Sequence, residues 1–271
     1  MTRSQDRLLA QWRAEPIRES KVRSCLRLAR LGTFATYLSP FVVFTALLGT
    51  TAQFSVSVFA MLLCFTAGGS CLLASFGHDP GEHRPPFALT SSEVRWFGWG
   101  AAFAGVLLWT TAVLISPFSP VWTIVLIALT ATPAVVEPGL PEPLVAVLGG
   151  VVVLAPYALA TGTLHPFVVV QAVVFGLGTL LARGYATGSP NTRLVAVLAP
   201  AEFLAGAIGS LLGAAPWWFV VAMAPATALR ALQYHRFRTG DLETARALGL
   251  RAHRLSALLM VLSNLLVLAL G

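Results

Sequence analysis

The sequence predicts an all-α, polytopic membrane protein, and three observations predict it: composition, the length of the apolar runs, and the placement of the charges. Hydrophobic residues make up 56% of the 271-residue chain and charged residues 11%, against roughly 25% charged in ordinary soluble domains. Apolar runs recur at the length that crosses a hydrocarbon core as helix, about 17–25 residues. Backbone groups in such a segment must bond within it, so helices are expected. The two-residue alternation of a membrane β-barrel is absent from the sequence.

Proline and glycine punctuation divides the apolar sequence into nine predicted spans, near 31–50, 54–76, 96–116, 120–136, 143–161, 166–182, 194–213, 215–231 and 254–270. Residues 1–30 precede them as a charged, amphipathic segment with no cleavable leader in view, and 31–271 form one transmembrane domain. The charges fix the orientation. With the N-terminus in the cytoplasm, the tail carries eight Arg/Lys, and the cytoplasmic loops 77–95, 183–193 and 230–254 carry two, two and six, which is every basic residue in the chain. The opposite connections carry none, so the positive-inside rule places this as a multi-pass protein of the cell (inner or plasma) membrane with a cytoplasmic N-terminus. Ten of the eleven acidic residues fall on the same side, Glu202 being the exception. The basic face is explained by topology, and nothing supports nucleic-acid binding.

Two cytoplasmic segments have the pattern of helices at an interface. Residues 18–30 place Val22, Cys25, Leu26 and Ala29 on one face with arginines opposite, as in a helix lying on anionic lipid. Segment 241–254 opens on a capping Asp241 with Glu243 in its first turn, and arginine follows, which suits the helix dipole. Cys25, Cys64 and Cys71 have no CxxC spacing and form no disulfide framework.

One loop is unusually rich in ionisable groups. The stretch SFGHDPGEHRPPFALTSSEVRW, residues 75–96, joins two apolar runs. Above it, Cys64, Gly68, Cys71, Ser75 and Asp79 recur at spacings of three and four and share one small, weakly polar helix face. In a membrane such a face turns toward other helices or a cavity. Around the Pro80–Gly81 turn stand His78, Asp79, Glu82 and His83. Carboxylates there suit Mg²⁺, a hard ion that commonly bridges to phosphate oxygens. The histidines suit a softer metal or an anion. The competing explanation is a solvated connection with no ligand.

This layout resembles the UbiA superfamily of intramembrane prenyltransferases, which has nine helices and polar loops after the second and sixth. The family's NxxxDxxxD motif has its counterpart in Ser75-x3-Asp79-x3-His83, with Glu82 beside the last position. The following HRPPFALTSSEVRWFGWG is similar to the family's run into the third helix, and PEPLVAVLGGVVVLAPYALATGT and the chain's end look like the branch that prenylates dihydroxynaphthoate for menaquinone. The resemblance implies a helical barrel, a polyprenyl diphosphate and a small aromatic or other acceptor as substrates, Mg²⁺ at Asp79 and Glu82, and a lateral, water-poor chamber. On it, Asp79 and Glu202 would be catalytic, Ser75, Cys71, Gly68 and Gln171 would line the cavity, and His78, His83, Arg84, Arg183 and Arg193 would meet the diphosphate.

The sequence departs from the family at the second aspartate motif. The loop after the sixth span reads ARGYATGSPNTR, and no Asp or Glu occurs between Glu142 and Glu202. Arginines of the two loops, which bind phosphate in a bidentate fork, are the available substitutes. They also serve as plain topology markers. Glu202 lies nine residues past Arg193, about 13 Å along a helix at 1.5 Å per residue. An ionisable group at that depth marks function by default. It is expected as a protonated acid, a base for an acceptor hydroxyl, a metal ligand, or a bond to a neighbouring helix. Gln171, Tyr157 and Asn264 are weaker intramembrane polar points. The alternative to an enzyme is a non-catalytic, diverged protein of the same fold that binds or transports an isoprenoid or other lipid metabolite.

Overall fold

The computed structural model describes residues 20–28, 34–51, 55–76, 89–116, 121, 124–125, 142–183 and 192–270. These are helical, with no strand among the described residues: α1 (Lys21–Leu28), α2 (Phe34–Thr51), α3 (Val56–Phe76), α4 (Ser91–Ile115), α5 (Glu142–Thr161), α6 (Pro166–Arg183), α7 (Thr192–Leu211), α8 (Trp217–Arg238) and α9 (Leu242–Leu270). The predicted 120–136 span lies outside the described residues except for 121, 124 and 125.

Three helical segments are long and apolar enough to cross a membrane: Ser92–Ile115, Pro143–Thr161 and Leu242–Leu270. Leu38–Thr51, Val56–Leu72 and Pro166–Ala182 are shorter apolar helices. Helix α4 leaves Trp96, Trp99, Phe103, Leu107 and Leu114 exposed. Exposed aromatic and aliphatic side chains along one helix are expected where lipid replaces water as the solvent. Together these features indicate a membrane protein.

The helix ends follow local chemistry. Thr90 and Glu93 form a reciprocal capping box at the start of α4, each side chain accepting the other's backbone N–H. Lys21 of α1 donates to Glu93 Oε1 at 2.5 Å, which ties the N-terminal helix to that cap. Between α6 and its predecessor, the Phe167 N–H donates to His165 Nδ1 at 3.3 Å.

Segment 230–254 was expected as a cytoplasmic connection with a capped helix over 241–254. The structure has two helices there, and the connection shrinks to Thr239–Asp241. Gly240, at φ 83, allows a Schellman closure in which Asp241 N–H reaches Arg236 O at 3.1 Å and Gly240 N–H reaches Phe237 O at 3.1 Å. Asp241 then accepts from Thr244 N–H at 3.2 Å, as the predicted cap requires. The side-chain and backbone bonds from Thr244 hold its carboxyl below the usual aspartate range. Helix α9 runs from this cap without a break into the last apolar segment. One arginine of this segment, Arg230, is buried.

Packing follows chain order. Helix α2 contacts α3, α3 contacts α4, each helix from α5 to α9 contacts the next, and α9 returns to α2. Cross-contacts of α2 with α5 and of α6 with α9 make two four-helix circuits that share α6 and α9, and α3 also touches α5. Their common core includes Val42, Val43, Phe175, Phe219, Met223, Ala257 and Met260. Small residues bring α5 against α6: a Cβ on Gly150 would stand 2.8 Å from Ala172 O. In lipid such close backbone approach is a main source of helix association.

Candidate functional site, a buried ionic cluster on the α6–α9 seam

Four helices bring polar groups to one buried point. Glu202 of α7 is 5% exposed and Arg230 of α8 is 1% exposed. Arg230 Nε donates to Glu202 Oε2 at 2.8 Å, and Ser256 Oγ of α9 donates to Glu202 Oε1 at 2.8 Å. Arg230 Nη1 donates to Gln233 Oε1 at 3.2 Å and to Gly249 O at 3.1 Å, and Nη2 donates to Gly178 O at 3.3 Å. A guanidinium has five N–H donors in a planar fork, and this one reaches α6, α7, α8 and α9 at once.

Burying two charges costs several kcal/mol per ion unless hydrogen bonds satisfy the remaining donors and acceptors. Here two helix carbonyls supply part of that compensation, and both belong to glycines. A Cβ on Gly249 would collide with Gln233 Nε2, and a Cβ on Gly178 would stand 2.7 Å from His253 Nδ1. The glycines therefore let the polar side chains reach the backbones of α6 and α9.

His253 lies beside the ion pair, 4% exposed, with its ring 4.7 Å from that of Phe175 between centroids. Its Nε2 is 3.4 Å from Thr179 Oγ1, and Thr179 donates its own proton to Phe175 O at 2.9 Å. Arg230 lies eight residues before the end of α8, about 12 Å at 1.5 Å per residue. The cluster therefore sits below the α8–α9 turn and below the connection that follows α6.

A second polar group crosses the same seam nearer its other end. Gln171 Nε2 of α6 donates to Asn264 Oδ1 of α9 at 2.6 Å, and Asn264 Nδ2 donates to Gln171 Oε1 at 3.2 Å and to Val42 O of α2 at 3.2 Å. Tyr157 of α5 and Thr50 of α2 share a hydrogen bond of 2.7 Å between their hydroxyls.

The predicted site residues divide accordingly. His78, Asp79, Glu82, His83 and Arg84 lie outside the described residues, as do the side chains of Arg183 and Arg193. Gln171 is fully buried and forms the amide pair with Asn264, a helix–helix hydrogen bond of the kind expected of these intramembrane polar points. Gly68 also proves to be a helix contact. The Trp109 indole of α4 lies across it and donates Nε1–H to Phe65 O at 2.9 Å. Ser75 bonds back to Leu72 O at 2.7 Å, and Cys71 is half-buried on the same helix. The small face of α3 thus meets α4 at Gly68, because a glycine there admits an indole. Glu202 was singled out correctly as unusual, but both its oxygens are bonded to neighbouring helices. Those bonds come from Arg230 of α8 and Ser256 of α9.

Arg230, Gln233, Gly249, His253 and Ser256 were not predicted as site residues. Arg230 was counted as a topology marker. The signal was present: Gly249, His253 and Ser256 recur at spacings of four and three, as do Arg230 and Gln233 at three, so each set shares a helix face. Among the described residues no group of three or more His, Cys, Asp or Glu side chains is placed to hold a metal. No protein-family model matches this chain, and no curated protein matches it.

Proposed function

We propose that this chain is a UbiA-like intramembrane prenyltransferase, with nine transmembrane helices in a barrel, that moves a polyprenyl group from its diphosphate to a small aromatic or other acceptor. The observation that supports this reading is the packing: α2 touches α3, α3 touches α4, each helix from α5 to α9 touches the next, and α9 closes on α2. The diphosphate would be met at the arginine-bearing, cytoplasmic end, between the connections after α3 and after α6. There Arg84, Arg183 and Arg193, with His78 and His83, would neutralise and orient its oxygens. Trp96 and Trp99, exposed near the start of α4, suit the interfacial level of a bilayer at that end.

The donor set bears on Mg²⁺. Asp79 and Glu82 offer hard carboxylate oxygens and fit one such ion, which keeps water and phosphate oxygens among its ligands. Segment 183–193 has no carboxylate, and Glu202 has its oxygens occupied by Arg230 and Ser256, so nothing there fits a second ion. When bound, Mg²⁺ would supply positive charge to the leaving diphosphate. The chain's own arginines would supply the rest, and the apolar helices would exclude water from the allylic cation. Glu202 and Arg230 act here as a brace holding α6 to α9 below the diphosphate end, not as the acid or base.

A specific observation favours a second reading. The second acidic motif is absent, and Glu202, the buried glutamate among the described residues, has both oxygens bonded to neighbouring helices. Both suit a protein of this fold that binds an isoprenoid diphosphate without turnover. The decisive assay uses purified protein in lipid with a labelled allylic diphosphate and Mg²⁺. Diphosphate release that Asp79→Ala abolishes is expected. Saturable binding without release would establish the binder instead, and neither would end both readings.

A further inference from the structure

One side of α9 is buried through Gly249, Ala252, His253 and Ser256, and the other carries a single arginine above a row of leucines. Arg251 is exposed. Leu258, Leu262, Leu265 and Leu266 follow it and are exposed as well. Their spacings of seven, four and three residues keep them on one helix face with Arg251. A cation thus heads an apolar stripe that is turned away from the bundle. Among the described residues no carboxylate pairs with Arg251. The one acid on its own helix, Glu243, lies eight residues back, about 12 Å along the axis.

Two lengths put Arg251 at the edge of a hydrocarbon core. Leu270, the last residue of α9, lies 19 residues beyond it, about 28 Å at 1.5 Å per residue. The hydrocarbon core of a bilayer is about 30 Å thick. On α8 an exposed stripe runs through Trp217, Val221, Ala228 and Leu232 to His235. His235 lies 18 residues from Trp217, about 27 Å. Gln233 of α8 lies against Gly249 of α9. In that antiparallel pair His235 therefore stands opposite residue 247, four residues or about 6 Å beyond Arg251. That difference is close to the depth of one headgroup layer, about 5–7 Å on each side of the core.

We infer that the outer face of α9, from Arg251 to Leu266, binds the phosphodiester headgroup and an acyl chain of an anionic phospholipid. The guanidinium fork matches phosphate oxygens, and the leucines below it offer the chain an apolar track. A soluble anion would leave those leucines unused. A zwitterionic lipid brings a cation of its own toward Arg251, whereas an anionic lipid brings only the charge that Arg251 lacks. The site rests on the chain's membrane character and is independent of the prenyl-transfer reading.

The test is native mass spectrometry of the full chain in detergent, titrated with phosphatidylglycerol and with phosphatidylcholine. Wild type should hold phosphatidylglycerol about fivefold more tightly, the contribution of one arginine near an anionic lipid surface. Arg251→Gln should abolish that preference. Arg238→Gln, which removes the same charge from the last residue of α8, should keep it. Equal affinity for both lipids in wild type, an equal loss in the two variants, or displacement of the lipid by excess inorganic phosphate overturns the inference. Wild type also decides the matter without any variant: phosphatidylglycerol with a photoreactive acyl chain should label α9 between Leu258 and Leu266, and labelling confined to other helices overturns the site.

Discussion

The α6–α9 seam is bonded twice, once by charges and once by amides, and the two bonds solve one problem at different cost. Near the α8–α9 turn, Arg230 and Glu202 are surrounded by Ser256, Gln233 and two glycine carbonyls. Toward the other end, Gln171 and Asn264 face each other and reach α2 through Val42 O. The amide pair is neutral and nearly self-complementary, and it needs little around it. The ion pair needs a prepared environment, which is why Gly178 and Gly249 accompany it. At the ionic end His253 Nδ1 and Gln233 Nε2 are left without a hydrogen-bond partner among the described residues, whereas the side chains of the amide pair are bonded to each other.

This contrast can be broken experimentally, beginning with the charges. Arg230→Met leaves Glu202 buried without a counter-charge and should lower stability by about 3–5 kcal/mol, the usual cost of breaking a buried pair from one side. Denaturation in detergent or bicelles measures it. The double variant Arg230→Met/Glu202→Leu should recover much of that loss, since apolar replacement of both partners is often near neutral. A double variant no better than Arg230→Met would mean that the glycine carbonyls, not the carboxylate, dominate the site.

A smaller effect is expected from Gly178→Ala. Its methyl would stand 2.7 Å from a ring nitrogen, and overpacking of this kind costs about 1–3 kcal/mol. The same denaturation assay reads it, and an unchanged midpoint would show that His253 moves freely.

The amide end should respond less again. Asn264→Leu removes the bonds to Gln171 and Val42, and interhelical hydrogen bonds in membranes average about 0.6 kcal/mol with a ceiling near 1.7. A loss larger than that of Arg230→Met would invert the comparison.

The smallest effect lies at the exposed turn that carries the ionic end. Asp241 has a carboxyl held below the ordinary aspartate range by Thr244. Its contribution is therefore present above the unfolded aspartate pKa and is lost as pH falls through the folded value. Hydrogen exchange at the start of α9 should quicken modestly on acidification below about pH 4. The pH step should disappear in Asp241→Asn, which keeps a capping oxygen without the titration.

Much of the helix pattern could be read before the fold was known. The apolar runs anticipated α2, α3, α5 and α6 to within a few residues, because span length follows from bilayer thickness and helix rise. Glu202 stood out for a physical reason: an acid among apolar residues is expensive. Its partner did not, because the rule that reads orientation treats each arginine as a boundary marker. Arg230 belongs to the interior, and only its contacts across α6, α7 and α9 reveal it. Gly68 and Gln171 were assigned to a cavity wall for a related reason. A small or polar residue on a helix face signals that something other than lipid lies opposite, and it does not say whether that is a chamber or Trp109 and Asn264.

Composition and spacing alone determined that this chain forms apolar helices, where most of them run, and that its charge gathers toward one set of connections. Those properties depend on each segment's own exchange between water, lipid and backbone hydrogen bonds. Tertiary structure decided which polar residues meet. Arg230, Glu202, His253 and Gly178 lie on four helices and come together because α6, α7, α8 and α9 pack as one circuit. A buried charge is set by its partners in space, and no local pattern along the chain specifies them.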